Sequence, residues 1–172
     1  KMAQAFSELG HQVYLYAPQS PAHKNSVSET GRSWESLARH YGLHQPFSVE
    51  WLGARNAFRR YDFSWKAIQH AQNQGAQLIY TRLPQAAALA SIQGVPTIFE
   101  IHDFPQGKMG PVLFRTFLKG QGAKRMVVIT HALYKDLNQY FQIPQENFFT
   151  QVAPDFSSIS AISVVFRCRW RV

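Results

Sequence analysis

"QLIYTRLPQAAALASIQGVPTIFEIHDFP", residues 77–105, holds two strands with a helix between them. "QLIYTR" carries the β-branched and aromatic residues that suit a sheet. "PQAAALASIQG" reads as a helix, with Pro84 in its first turn and Gly94 at its end. Pro96 can open a strand but not continue one, and Thr97, Ile98, Phe99 and Ile101 form the strand that follows. Glu100, His102 and Asp103 then arrive together where that strand runs out. Such an end is either a wet terminus or the rim of a site.

The same alternation extends in both directions. Upstream, "KMAQAFSELGHQVYLYAP" is a helix with Met2, Ala5, Phe6 and Leu9 at helical spacing. Gly10 stops it, and Val13 to Tyr16 make a short strand. "SWESLARHYGL" is helical, with Ser33 or Ser36 as caps, and "FSVEWLG" is a strand. "DFSWKAIQHAQNQG" is a helix capped by Asp62 or Ser64 and stopped by Gly75. Downstream follow the helix "PVLFRTFLKGQG", the strand "RMVVIT", the helix "HALYKDLNQYF" and the strand "NFFTQVAP". Strands and helices alternating at this spacing predict an α/β fold with a parallel sheet covered on both faces. The consecutive apolar residues of Leu78–Tyr80 and Met126–Ile129 agree with strands covered twice. The polar loops 18–31 and 105–111 follow strand ends, where such folds keep their ligands.

Composition narrows the class. Hydrophobic residues make up 45% of 172 positions, too rich for disorder and enough for a real core. No apolar run reaches the ~18 residues of a membrane span, and no signal-peptide pattern opens the chain. Cys168 is the single cysteine, which removes an internal disulfide framework and a cysteine-based metal cluster and fits a reducing, cytoplasmic setting. The net charge of +8 is scattered over Arg55, Arg59, Arg60, Arg82, Lys119, Lys124 and Arg125, with Arg167, Arg169 and Arg171 at the end. That balance admits nucleic acid, an anionic membrane surface or phosphorylated small molecules as partners.

The order of segments resembles the N-terminal half of a family-four (GT4) glycosyltransferase of the GT-B architecture. "AFSELGHQVYLYAP" is similar to that family's first helix, tight glycine and second strand. "LIYTRLPQAAALASIQGVPTIFEIHDFP" is similar to its strand, Arg-bearing turn, helix and strand ending in E-x-H-D. "KRMVVITHALYKDL" resembles a further strand and turn, and "VAPD" the start of the interdomain segment. The resemblance implies a Rossmann-like doubly wound parallel sheet that here lacks its native first strand. It divides the chain into residues 1–155, a partial N-terminal, acceptor-side domain, and residues 156–172, a tail without the family pattern whose sequence suggests a shifted reading frame. A chain opening on Lys1 is expected to have sequence upstream. The family's second domain, which carries most nucleotide-sugar contacts, has no counterpart in these residues.

For function, the resemblance implies sugar transfer, of the retaining kind, from a nucleotide-sugar donor to a glycan, lipid or small-molecule acceptor. It implies no obligatory metal and no bound cofactor, and the fragment alone is expected to be inactive. It places His102 at a strand's carboxyl end, facing the cleft and contacting the donor sugar. An imidazole can donate or accept to a hydroxyl, but a half-exposed loop histidine bonded to backbone is the competing reading. Glu100 shares a strand face with His102 if the strand persists that far. Asp103 is either a site residue or the cap of the following loop or helix. Arg82 is either a clamp for a phosphate or carboxylate, a solvated loop arginine, or the partner of Glu100 or Asp103. Thr130 is a candidate substrate contact, with a helix N-cap as the simpler role. Neighbouring strand residues face opposite ways, so Glu100, His102 and Asp103 make a poor metal site.

Trp34, Trp51 and Trp65 read as core or half-buried packing, and His11 as a turn residue without a partner. "FRRYDFSW", residues 58–65, is either solvated surface or a face for an anionic membrane carrying lipid-linked acceptors, which would set the protein at the inner face of the membrane. Two other classes compete: a non-catalytic nucleotide- or ligand-binding domain of Rossmann-like fold, and a basic nucleic-acid-binding module. Neither a G-x-G-x-x-G nor a G-x-x-x-x-G-K-[ST] loop supports the first. Neither an RNP pattern nor a basic recognition helix supports the second, so nucleic acid is not the expected partner.

Overall fold

The computed structural model describes residues 2–19, 33–55, 61–143, 148–150 and 163–167. The chain divides into two compact units, with the boundary after Gln77. The first begins with α1 (Met2–Glu8), which turns through Gly10 at φ 83° into β1 (Gln12–Gln19). The β1 strand outruns its expected four residues because it pairs in parallel with β2 (Ser48–Gly53), from Tyr14 beside Ser48 to Gln19 beside Gly53. Between them lies α2 (Trp34–Tyr41), capped as its sequence suggests. The Ser33 hydroxyl accepts from the Ser36 amide at 3.2 Å, and Gly42 closes the helix in the left-handed region.

The last helix of this unit, α3 (Tyr61–Asn73), buries Phe63, Ser64, Ala67, Ile68 and Ala71 along one stripe. Asp62 and Ser64 do not cap it. The helix starts one residue earlier than its spacing predicts, so both lie inside its first turn, and Asp62 instead accepts from the Arg55 amide at 2.9 Å. Trp65 stands on the far face of the buried stripe and is 52% exposed, and Trp51 is also exposed, so neither packs into the core. His11 has a ring neighbour after all, Phe6, at 6.2 Å. Residues 56–60, and with them the first part of "FRRYDFSW", lie outside the described residues, as do the loop from residue 20 and the "VAPD" segment.

The second unit is a run of parallel strands joined by helices. In order these are β3 (Leu78–Thr81), α4 (Pro84–Ile92), β4 (Thr97–Ile101), α5 (Met109–Lys119), β5 (Ala123–Val128), α6 (His131–Phe141) and β6 (Phe148–Thr150). Successive strands pair as neighbours: β3 with β4, β4 with β5, and β5 with β6. This is the Rossmann-like α/β arrangement that the alternation of segments predicts. On β3, Ile79, Tyr80 and Thr81 are buried in succession, as in a strand covered on both faces.

One core ties this unit together. Phe99 and Ile101 of β4 and Met126 and Val128 of β5 face Ala87 of α4, Phe114 and Phe117 of α5, and Leu133 and Leu137 of α6. Burying a side chain such as Phe117 or Leu137 contributes about 1.5–3 kcal/mol. The α4 helix is nearly all small residues on its buried sides, Ala86, Ala87, Ala88, Ala90 and Ser91, and α5 packs closely on it. The sequence run "GQG" does not continue α5, as its pattern suggests. Gly120 closes that helix, and a Cβ on Gly122 would stand 2.1 Å from the Val95 carbonyl oxygen. The Gly122 amide donates to the Ser91 carbonyl at 2.9 Å, and the Thr97 amide donates to the Gly122 carbonyl at 2.7 Å. Backbone therefore lies against backbone where α4 ends and β5 begins.

A further strand, β7 (Ser163–Arg167), falls within the segment that has no family pattern.

Candidate functional site

Strand alternation builds the site. Tyr80 lies on β3 and Arg82 just past its end; Ile98 and Glu100 lie on β4 and His102 just past its end, each set spaced by two as one strand face requires. The parallel register sets Tyr80 beside Ile98 and Thr81 beside Phe99, so both even-numbered sets share a face. The odd-numbered partners, Phe99 and Ile101, are spent on the core. Polar groups at the carboxyl ends of the two strands are thus separated from the packing by the pleat itself.

Four of these side chains form one connected array. The Tyr80 hydroxyl donates to Oε2 of Glu100 at 2.6 Å. The other oxygen of Glu100, Oε1, lies 2.5 Å from Nε2 of His102. Nδ1 of His102 lies 2.6 Å from Nη2 of Arg82, and Nε of Arg82 is 3.9 Å from Oε1 of Glu100. Of Glu100, Arg82 and His102, Glu100 is the best buried at 11% exposure, with Arg82 at 20% and His102 at 24%. Burial, then the bond and charge of Glu100, push the Tyr80 phenol far above its ordinary range, so it remains a hydroxyl and a donor.

These contacts assign the imidazole. A guanidinium has donors only, so Nδ1 must accept from Arg82. The proton of a neutral ring then sits on Nε2, where the carboxylate accepts it. His102 is bonded at both nitrogens by side chains, and not by backbone as the simpler reading had it. Arg82 is paired with Glu100 and His102, not with Asp103.

Asp103 is exposed and makes no hydrogen bond or ion pair among the described residues. It does not cap the following helix, because α5 starts at Met109 with Lys108 in the cap position. Thr130 caps α6, its hydroxyl accepting from the Leu133 amide at 3.1 Å. The structure therefore joins Arg82, Glu100 and His102 and leaves Asp103 and Thr130 apart from their array. Tyr80 is the member that sequence reading missed. Its signal was present as Y-x-R on one strand facing E-x-H on the next, each at the period of two that keeps side chains on one face.

Among the described residues no group of three or more His, Cys, Asp or Glu side chains is placed to hold a metal ion. The array offers a cation, a carboxylate and an imidazole, which together suit an anionic group carrying hydroxyls. Also among the described residues, no helix is long and apolar enough to cross a membrane.

Parallel βα units with polar residues gathered at the strand ends define an α/β protein of the Rossmann-like class. Within it, the family is specific: residues 1–149 match the family model for Glycosyltransferase Family 4, and the chain belongs to that family as an N-terminal domain. Neither the comparison with curated proteins nor that with solved structures gives a match.

Proposed function

We propose that this chain is the acceptor-side part of an enzyme that moves a sugar from a nucleotide-sugar donor to a glycan, lipid or small-molecule acceptor. Membership of Glycosyltransferase Family 4 supports glycosyl transfer in general. The observation that carries the finer reading is the array of Arg82, Glu100 and His102 at the carboxyl ends of β3 and β4. In it His102 contacts the donor sugar, and Arg82 offers its charge to an anionic group of the ligand. Transfer proceeds with retention: the acceptor hydroxyl attacks on the face the diphosphate leaves, and cations stabilise the departing charge. No side chain of this chain serves as a nucleophile.

In the same reading, residues 1–155 form the acceptor-side domain, with Asp103 and Thr130 as outer substrate contacts, and a second domain supplies most of the donor's binding. The protein works in the cytoplasm, at the inner face of the membrane where its acceptor is lipid-linked. The 172-residue chain alone transfers no sugar, and turnover by it would refute that part.

The test is binding and turnover by the whole protein with UDP- and GDP-sugars, alongside single-stranded nucleic acid as the salt is raised. Saturable sugar-nucleotide binding that His102→Ala weakens supports the reading. Binding of nucleic acid alone, lost steeply with salt, sinks it.

A further inference from the structure

The two oxygens of Glu100 do different work. One receives the Tyr80 hydroxyl at 2.6 Å, and the other faces Nε2 of His102 at 2.5 Å. Tyr80 is 5% exposed and sits in the middle of β3, while Glu100 is on the neighbouring strand two residues past Tyr80's own register partner, Ile98. A carboxylate held by a donor on one oxygen cannot rotate freely, so the second oxygen keeps a fixed direction. That direction meets an imidazole whose tautomer follows from which nitrogen finds an acceptor. While Arg82 covers Nδ1 it too requires the proton on Nε2. Once a ligand takes the place of Arg82, Glu100 alone holds that proton, and without the phenol only one of its oxygens is held.

We propose that Tyr80 is a positioning residue for His102: by fixing Glu100 it holds the imidazole proton on Nε2 when a ligand displaces Arg82, and so reserves Nδ1 as the nitrogen that accepts a hydrogen bond from a ligand hydroxyl. This rests on the reading of His102 as a sugar contact and adds its polarity. Arg82 covers Nδ1 in the structure, so a hydroxyl reaches it by taking the place of Nη2. The site selects a ligand that brings a donor to Nδ1, and it disfavours one that offers only an acceptor there, such as an ether or a deoxygenated position bearing fluorine.

The test places the proton directly. Nitrogen NMR of the 172-residue chain distinguishes a protonated from an unprotonated ring nitrogen, with the His102 signals identified by their loss in His102→Ala. Arg82→Leu uncovers Nδ1 and leaves Glu100 as the group that places the proton. The expected result is a single Nε2–H form in the parent chain and in Arg82→Leu, and a mixture with both nitrogens partly protonated in Arg82→Leu combined with Tyr80→Phe. A single Nε2–H form that persists in the folded double variant overturns the proposal. Should the double variant not fold, Arg82→Leu alone still decides. A slowly exchanging Tyr80 hydroxyl proton and an Nε2–H imidazole are required together there, and an Nδ1–H form or a missing hydroxyl proton overturns the proposal. The readout needs no turnover, so a whole protein that transfers no sugar would defeat the proposed function and leave this result standing.

Discussion

Nε2 of His102 lies 2.5 Å from Oε1 of Glu100, the residue two positions before it on the same strand face. The contact is local in sequence, while Arg82, from the neighbouring strand's end, takes the other nitrogen, and both partners call for the same tautomer. A hydrogen-bond donor on one side and an acceptor on the other make the ring a directed group.

Removal of that ring is the first prediction. His102→Ala abolishes turnover in the whole protein and leaves folding intact, because the side chain lies at a strand end, outside the Phe99–Phe117–Leu137 core. Turnover assays with thermal unfolding beside them check both halves. Unchanged turnover returns His102 to a structural role.

Thr130 separates a cap from a ligand. Its hydroxyl accepts the Leu133 amide, so Thr130→Ala costs about 1 kcal/mol of stability and Thr130→Ser restores most of it. Denaturant unfolding measures the loss. If Thr130→Ala leaves stability untouched and lowers sugar binding, the residue is a substrate contact and the cap is incidental.

Gly122 is set by space and not by its backbone angles. A methyl there meets the Val95 carbonyl oxygen at 2.1 Å, and both flanking segments are held by backbone hydrogen bonds. Gly122→Ala therefore destabilises by about 1–3 kcal/mol, the usual cost of overpacking, or more where the backbone cannot shift. Gly53→Ala is the control: its Cβ would stand 3.8 Å from the end of a flexible lysine, Lys66, and the change stays within about 0.5 kcal/mol. Equal effects at the two glycines, read from denaturant midpoints, would remove the packing argument.

The buried phenols make the fold sensitive to alkali. Tyr80 is raised by burial and by Glu100, and Tyr16 by burial and then by Glu50 and Tyr14. In the unfolded chain both phenols ionise near pH 10, while in the folded chain both stay neutral there. Their contribution to stability is complete below about pH 10 and is lost as pH rises through that value toward the folded ones. Denaturant midpoints fall between about pH 9 and pH 11, and the fall is shallower in Tyr80→Phe, which has one fewer phenol to ionise. An equal fall in both chains would show that Tyr80 is not the group responsible.

The sequence by itself determined the elements and their direction. Pro84, Gly94 and Pro96 punctuate strand, helix and strand because each fixes or frees a backbone angle locally, and Ser33 and Thr130 announce helix starts because their hydroxyls reach an amide three residues on. The family motif around Glu100 and His102 was legible for the same reason, since a spacing of two on a strand guarantees a shared face. Tertiary structure alone decided which groups meet. The register that sets Tyr80 beside Ile98 brings a phenol from one strand to a carboxylate on the next, and Arg82 to an imidazole twenty residues away. It left Asp103 in solvent, turned Trp65 outward, and demanded a bare backbone at Gly122. Each of these depends on which strand lies next to which and how closely helices approach, and the physics that sets those distances acts between residues far apart in the chain.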